Sequence, residues 1–268
     1  MFFKPFLIYL VAMVSTALYS TVQAEELPDD FQFRIGAYQV TNTDTRMNIG
    51  SSGGLIGTNI RYSRDLGGDD KESVPHVQGY YRFNDTHRFN YGWYKVERFG
   101  TVALQIDIDF GDETFTTGTT VNSFINAEIL KLTYQYSFYR SDKVEMGVSA
   151  GLHIMDYSMG ISETSGGANE VEDVTAPLPI FGFHLNYKIN PRWHVLMDYD
   201  IFYIELESTT EGSISDFQLA TEYRFFRTFA MGVGINSTAL DVSVDDSDFN
   251  GTINDTYKGY EIYAALYF

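Results

Sequence analysis

Apolar and polar side chains alternate with a period of two along most of this 268-residue sequence. In the last segment Phe268, Leu266, Ala264, Ile262 and Tyr260 share one parity, and the residues between them share the other. Such alternation predicts β-strands with two unlike faces. Ten strands are predicted, each to within a few residues, at 31–41, 74–83, 87–97, 123–138, 143–158, 176–188, 192–206, 214–225, 228–243 and 254–268.

The connections between these segments alternate in length. Tight turns are predicted at 84–86, 139–142, 189–191 and 226–227, whereas the connections opposite them are mostly long. This pattern is typical of a transmembrane antiparallel up-and-down β-barrel, and it places both chain ends on the tight-turn side. The predicted fold is therefore all-β with about ten strands, and eight or twelve strands remain alternatives.

Alternation alone does not separate a membrane barrel from a soluble sandwich, which would bury the apolar face. Aromatic residues decide between them, because they crowd the tight-turn ends of the strands, as Phe89, Trp93, Trp193 and Tyr223 do. Membrane barrels carry such girdles at the lipid–water interface. The apolar parity is accordingly assigned to lipid and the polar parity to the lumen.

The first residues predict export. Residues 1–24 carry one early lysine, an apolar run and small residues before two acids, which is typical of a cleaved signal peptide; an uncleaved membrane anchor is the alternative. Residues 25–268 then form one barrel domain with long acidic extracellular loops, and they include no second apolar stretch long enough for a spanning helix. The sequence has no cysteine, so no disulfide framework is expected.

The strongly acidic balance, a formal net charge of −18, argues against nucleic acid as a partner. The five outer connections together carry −17, so the acidity is a property of one end of the barrel. No cofactor is expected, although loosely bound Mg²⁺ or Ca²⁺ at these loops is an alternative to plain solvated carboxylates. The best metal candidate is "DDSDFNGTIN", in which Asp246, Asp248 and Asn250 match calcium-loop positions, but Tyr257 stands where a bidentate Glu is needed.

The signal peptide, the turn pattern and the terminal strand together resemble Gram-negative outer-membrane β-barrel proteins. Stretches such as "FGDETFTTGTTVNSF" are similar to a poorly characterised group within the OmpA/OmpW-like barrel superfamily. The resemblance implies an outer-membrane location with periplasmic termini, and contact with outer-membrane lipid and lipopolysaccharide. It also implies that the barrel-assembly machinery recognises the last strand, through Tyr260, Ile262, Ala264, Leu266 and Phe268. The extracellular partner is not identified.

Charged residues of the inward parity are balanced in sign. Six bases and six acids are predicted to form a lumen network: Arg34, Arg82, Arg88, Lys131, Lys188 and Arg224 with Glu145, Asp198, Asp200, Asp216, Glu222 and Glu261. Small barrels are filled by side chains, so these charges favour a plugged lumen over an open pore. The predicted function is therefore envelope structure or surface interaction, with a narrow cation-preferring channel as the alternative.

An enzyme at the outer rim is the third possibility, and the protein is not expected to be one. The best constellation is His153 with Asp156 and either Ser149 or Ser158, because a serine hydrolase needs a base and an orienting acid. Asp156 has the opposite parity to His153, so no catalytic residue is assigned.

Two outer connections contain residual strand pattern, "TNIRYSR" and "ALQIDIDF". Both are predicted to extend the barrel wall above the membrane as hairpins. With the glycine-rich "GSSGGLIG" they would form a surface able to bind a protein, a glycan or a phage.

Overall fold

The computed structural model describes residues 30–51, 57–206, 210–245 and 250–268. The predicted signal peptide at 1–24, most of "GSSGGLIG", and Asp246 and Asp248 of the metal candidate lie outside these residues. The elements are β1 (Phe31–Ile49), β2 (Ile60–Arg61), α1 (Tyr62–Asp65), β3 (Glu72–Arg82), β4 (His87–Ala103), β5 (Ile108–Phe110), β6 (Glu113–Phe115), β7 (Thr120–Arg140), β8 (Val144–Glu163), β9 (Asn169–Lys188), β10 (Trp193–Leu206), β11 (Thr210–Phe226), β12 (Phe229–Asp245) and β13 (Asn250–Tyr267).

Ten long strands, β1, β3, β4 and β7–β13, form one antiparallel sheet that closes on itself. Closure is made by β1 and β13, from Gln32 opposite Tyr267 to Ile49 opposite Gly251, with a bulge between Val40 and Asn42. The ten-stranded antiparallel barrel predicted from the sequence is thus confirmed, and the alternatives of eight and twelve strands are excluded. Within the described residues, no helix is long and apolar enough to cross a bilayer.

The four tight turns lie at the predicted positions, and asparagine side chains shape two of them. Asn84 Oδ1 accepts hydrogen bonds from the backbone N–H groups of Thr86 and His87, each at 3.0 Å. Asn190 Oδ1 accepts equivalent bonds at 2.9 and 3.0 Å from Arg192 and Trp193. An asparagine that bonds its own chain two or three residues ahead stabilises a turn, which explains why these connections are short.

At the opposite end the strands continue well past their predicted bounds. β8 ends at Glu163 and β9 begins at Asn169, so most of the stretch predicted as a loop at 156–175 is strand. The same correction applies to 205–212 and 241–255, which β10–β13 largely absorb. The reason is that inward-facing residues there are apolar and pack on one another across the lumen.

The inward face of the wall therefore changes from polar to apolar along the strands, as β7 shows. On the tight-turn half of β7 the apolar residues face out: Leu130 is 38% exposed and Tyr134 is 50% exposed. Further along, the inward-facing Ile125 and Ile129 are almost fully buried. The lower half is a membrane barrel with a polar interior, and the upper half has an apolar interior such as a water-soluble barrel has. Apolar residues at inward positions of the upper half are a feature that the sequence interpretation missed.

The segment "TNIRYSR" extends the wall, but not as a hairpin. β3 begins opposite Val40, which leaves the upper edge of β1 free, and β2 pairs there through Ile60 opposite Met47. The single turn α1 follows, and Tyr62 at its start is fully buried in the upper interior. This segment closes a gap in the wall, because β3 is too short to reach the outer end.

The segment "ALQIDIDF" does form a hairpin, β5–β6, but the hairpin lies across the mouth of the barrel. The Gly111 N–H donates to Ile49 O of β1 at 3.3 Å, and the Asp112 N–H points at Glu170 Oε1 of β9 at 3.5 Å. In the closed sheet β1 and β9 are diametrically opposite. Ile108, Phe110 and Phe115 are buried against the upper interior. We call residues 104–119 the lid.

The two halves of a strand should respond differently to an outward-facing charge. Val233 is 52% exposed within the apolar band of β12, whereas Asp241 is exposed further up the same strand. Val233→Lys should lower the free energy of unfolding in lipid vesicles by about 2–4 kcal/mol, the cost of a lysine near the bilayer centre. Asp241→Lys is the matched control and should cost far less. Equal costs, measured by urea titration, would contradict the placement of the membrane.

Candidate functional site

The lower lumen holds the charged residues predicted from parity. Glu222 lies between two arginines, 3.6 Å from Arg34 Nη2 and 3.9 Å from Arg224 Nε, and it accepts a hydrogen bond from the Tyr267 hydroxyl. The Arg34 and Arg224 guanidinium groups stack over Tyr263 and Tyr267, at 4.9 and 3.9 Å from the ring centres. This group lies in the lumen toward the tight-turn end, beside the strand ends Phe226 and Tyr267.

A second group lies across the lumen from the first. Arg82 Nη2 donates to Glu145 Oε1 at 2.9 Å, and Ser137 Oγ donates to the same oxygen at 2.6 Å. Arg88 donates from Nε to Gln135 Oε1 at 2.9 Å and lies over the Tyr80 ring at 4.7 Å. Each of these cations thus has an anionic, amide or aromatic neighbour, as expected for charges held away from water.

The third group occupies the middle of the lumen. Lys131 Nζ bonds Asp200 Oδ2 and lies 3.5 Å from Asp216, while Thr238 Oγ1 donates to Asp216 at 2.8 Å. Glu261 accepts from Gln218 Nε2 at 2.6 Å and lies 3.7 Å from His76 Nδ1. The structure therefore distributes the predicted charges over several small clusters. Lys188, the remaining predicted base, lies on β9 opposite His194 of β10.

A cavity of about 120 Å³ lies among these groups. Its lining includes Arg34, Arg88, Lys131, Glu145, Asp198 and Asp216. Its surroundings carry both signs of charge, so it has no strong preference for an anion or a cation.

The structure also brings together a chain of three residues that the sequence interpretation missed. Ser149 Oγ is 2.8 Å from His184 Nε2, and His184 Nδ1 is 2.5 Å from Asp198 Oδ1. Gly182 provides the space, since a Cβ there would lie 2.4 Å from Ser149 Oγ. The signal was present in the sequence: counting back from the tight turn at 189–192 places His184 directly opposite Asp198.

The order serine, histidine, aspartate is that of hydrolase triads, but the surroundings do not complete such a site. The three residues lie in the interior of β8, β9 and β10, where backbone N–H groups are used in the sheet ladder. No pair of backbone donors is thereby left to stabilise an oxyanion. The carboxylate of Asp200 also lies beside Gly182, where it would oppose a developing negative charge.

The rim constellation considered from the sequence is not assembled. His153 is buried in the lumen opposite Lys131 and Leu178, whereas Asp156 is exposed on the outer face and accepts a bond from Thr175 Oγ1 at 3.1 Å. The two residues therefore lie on opposite sides of the wall.

One acid that the sequence assigned to an outer loop is buried in the upper interior. Asp255 accepts hydrogen bonds from Thr45 at 2.7 Å and from the Tyr157 and Tyr257 hydroxyls. Burial raises the pKa of Asp255, and the three hydroxyl donors only partly offset this. Arg98, at 2.5 Å from Thr45 Oγ1, supplies the nearby positive charge.

Four acids of the outer end lie close together where the lid rests on β9. Burial raises the pKa of Glu172, and the neighbouring charges of Glu170, Asp112 and Asp173 raise it further. Among the described residues, no three acids or histidines are arranged to hold a metal ion. Asn250 is the only described member of the metal candidate, whose Asp246 and Asp248 lie outside the described part of the chain.

Removal of Lys131 should destabilise the barrel strongly, because Asp200 and Asp216 would lose their shared cation. We expect Lys131→Met to lower the free energy of unfolding by about 3–5 kcal/mol. Lys95, which pairs with Glu97 at 2.7 Å on the exposed outer face, is the matched control. Lys95→Met should change the free energy of unfolding by less than about 1 kcal/mol. Equal effects in urea titrations would show that the lumen pair adds nothing.

The raised pKa of Glu172 predicts that acid strengthens the seating of the lid. Protonated Glu172 is favoured in the folded protein, so its contribution is complete below its ordinary pKa and is lost as pH rises through the raised value. Amides of β5 and β6 should exchange more slowly at pH about 4 than at pH about 7.5, after correction for intrinsic rates. In Glu172→Gln much of this difference should disappear. An unchanged pH dependence would exclude Glu172 as its source.

No protein-family model matches the sequence, and no curated protein matches it. The structure is similar to outer membrane protease OmpT from Escherichia coli, with a TM-score of 0.57 and 9% identity, covering 93% of this chain and 100% of that one. Ail from Yersinia pestis has a TM-score of 0.40 and 8% identity, over 87% and 99% of the two chains. The toluene transporter TodX from P. putida has a TM-score of 0.33 and 10% identity, over 90% of this chain and 91% of that one. The similarity to OmpT establishes a fold and no activity: this chain has the fold of an outer-membrane β-barrel.

Proposed function

We propose that the protein is a closed, non-conducting barrel of the Gram-negative outer membrane that serves envelope structure or surface interaction. The observation that carries the proposal is the lid, which spans the mouth between opposite strands and buries its own Ile108, Phe110 and Phe115 against the upper interior. A path for ions would have to cross this mainly apolar layer as well as the paired charges below it. Both barriers support a plug.

The same geometry supports an orientation, with the lid outside the cell and both termini in the periplasm. Two lid-side connections, from β1 to β3 and from β4 to β7, are long, and the lid end is rich in acids, whereas the opposite side has only tight turns. Long connections on one side alone are typical of outer-membrane barrels. The last strand presents Tyr260, Ile262 and Phe268 to lipid, each more than half exposed. We propose that the barrel-assembly machinery recognises this lipid-facing side of the last strand.

We propose further that the protein is not an enzyme. Neither His153 with Asp156 nor the chain from Ser149 to Asp198 provides a base, a nucleophile and oxyanion donors around one open space. An active-site-directed fluorophosphonate should therefore leave Ser149 unmodified in the folded protein. Labelling of Ser149 that His184→Ala abolishes would contradict this proposal.

The conductance of reconstituted protein tests the central claim. Refolded wild-type barrel should give no discrete currents in planar bilayers at low or high salt, while heat-modifiable migration confirms that it is folded. Steady, cation-selective openings would overturn the proposal and establish the narrow channel.

Variants of the lid show where the barrier lies. Phe110→Glu with Phe115→Glu should lift the lid, because two buried charges cannot remain in the apolar interior. The lid should then become sensitive to protease added from its own side. Phe99→Glu is the matched control, since Phe99 is 61% exposed on the outer face. Equal protease resistance in both variants would show that the lid is not held by burial.

A further inference from the structure

A basic groove opens on the outer face of the wall where β13, β1 and β2 meet. It has a volume of about 340 Å³. Three arginines and several amide and hydroxyl side chains line it over the buried Met47 and Ile60, and no carboxylate does: Arg46, Asn48, Asn59, Arg61, Arg64, Thr252 and Asn254. It contrasts with the acidity of the rest of this end.

The groove lies just above the apolar band. On β13 the outward-facing residues are Ile262 and Tyr260, both more than half exposed, then Lys258, and then Asn254 in the groove wall. Asn254 is four residues beyond Lys258, which is about 13 Å along a strand. Because the apolar band marks the hydrocarbon, the groove faces sideways into the head-group layer of the membrane.

The cations of the groove are only partly neutralised. Arg46 and Arg64 bond their neighbours Asp44 and Asp65 at 2.7 Å, but these arginines remain more than half exposed. Arg61 forms no ion pair with any acid in the described part of the chain. The hydrogen bond from Arg46 lowers the pKa of Asp44. Asp44 is therefore ionised at neutral pH, and it neutralises part of the charge of Arg46.

We propose that this groove binds the phosphate groups of lipopolysaccharide in the outer leaflet. Guanidinium groups donate two parallel hydrogen bonds to a phosphate, and three of them around one groove match a ligand with clustered phosphates. Asn48, Asn59 and Thr252 supply partners for sugar hydroxyls. The inference rests on the proposed orientation, which places the lid end in the outer leaflet.

The groove also offsets the repulsion that is expected between the acidic outer end and membrane phosphates. A barrel whose outer connections carry −17 should be repelled by the phosphates around it. In the basic groove the arginines can contact those phosphates directly, without divalent cations that bridge them to carboxylates. Lipopolysaccharide would accordingly bind one side of the barrel in preference to the others.

Binding in detergent micelles tests the proposal. Wild-type barrel, refolded without lipopolysaccharide, is titrated with purified lipopolysaccharide and with the same material after its phosphates have been removed. We expect the dephosphorylated form, which keeps its acyl chains, to bind much more weakly. Arg61→Gln should weaken binding of the intact form about fivefold, as should Arg46→Gln. The double variant should bind more weakly than either single variant, although the two effects need not multiply because the residues are neighbours.

Two further variants make the result specific. Arg61→Lys keeps the charge and should retain most of the affinity. Arg140 pairs with Asp85 at 3.1 Å beside a tight turn, at the far end of the barrel, so Arg140→Gln should bind as the wild type does. Heat-modifiable migration of every variant confirms folding. Because all these arginines are surface residues, loss of binding is not expected to follow from unfolding.

Three outcomes would overturn the proposal. If dephosphorylated lipopolysaccharide bound as tightly as the intact form, only the acyl chains would be recognised. If Arg140→Gln lost as much affinity as Arg61→Gln, only the total charge of the protein would matter. Competition by inorganic phosphate at micromolar concentration would assign the groove to a soluble anion. Micelles have no sides and no current is measured, so a conducting or inverted barrel would refute the proposed function while leaving this result unaffected.

Discussion

The change of solvent along each strand is the constraint on which the rest of this structure depends. In lipid, a strand must present apolar side chains outward and pair every backbone N–H and C=O, which only a closed sheet achieves. Above the lipid the same strands meet water, so the apolar side chains turn inward, as Ile125 and Ile129 do on β7. Closure of the sheet, the charged lower lumen and the apolar upper interior all follow from this one change.

The two interiors exclude solutes by different physical means. In the lower half the charges are held by one another, as Lys131 is by Asp200 and Asp216, so a passing ion would have to displace paired groups. In the upper half the interior is mainly apolar, and the buried carboxylate of Asp255 is already bonded by Thr45, Tyr157 and Tyr257. The cavity of about 120 Å³ remains in the polar part alone, where its walls supply hydrogen bonds.

The sequence predicted what depends on neighbours in the chain and failed where distant segments meet. Ten strands and four turns were recoverable because alternation and turn residues such as Asn84 and Asn190 are local signals. The lid was not, because "ALQIDIDF" has the same pattern whether it pairs with the wall or covers the mouth. The groove was hidden for another reason: residues 41–73 sum to a charge of −1, an average that conceals the clustering of Arg46, Arg61 and Arg64.

The attachment of the lid has a mechanical consequence. A ring of ten strands can become oval under pressure from the surrounding lipid, since its hydrogen bonds fix the circumference and leave the diameter free. Contacts from Gly111 to β1 and from Asp112 to β9 join two points half a turn apart. They act as a cross-brace on one diameter, so the lid opposes flattening of the barrel at the end that it covers.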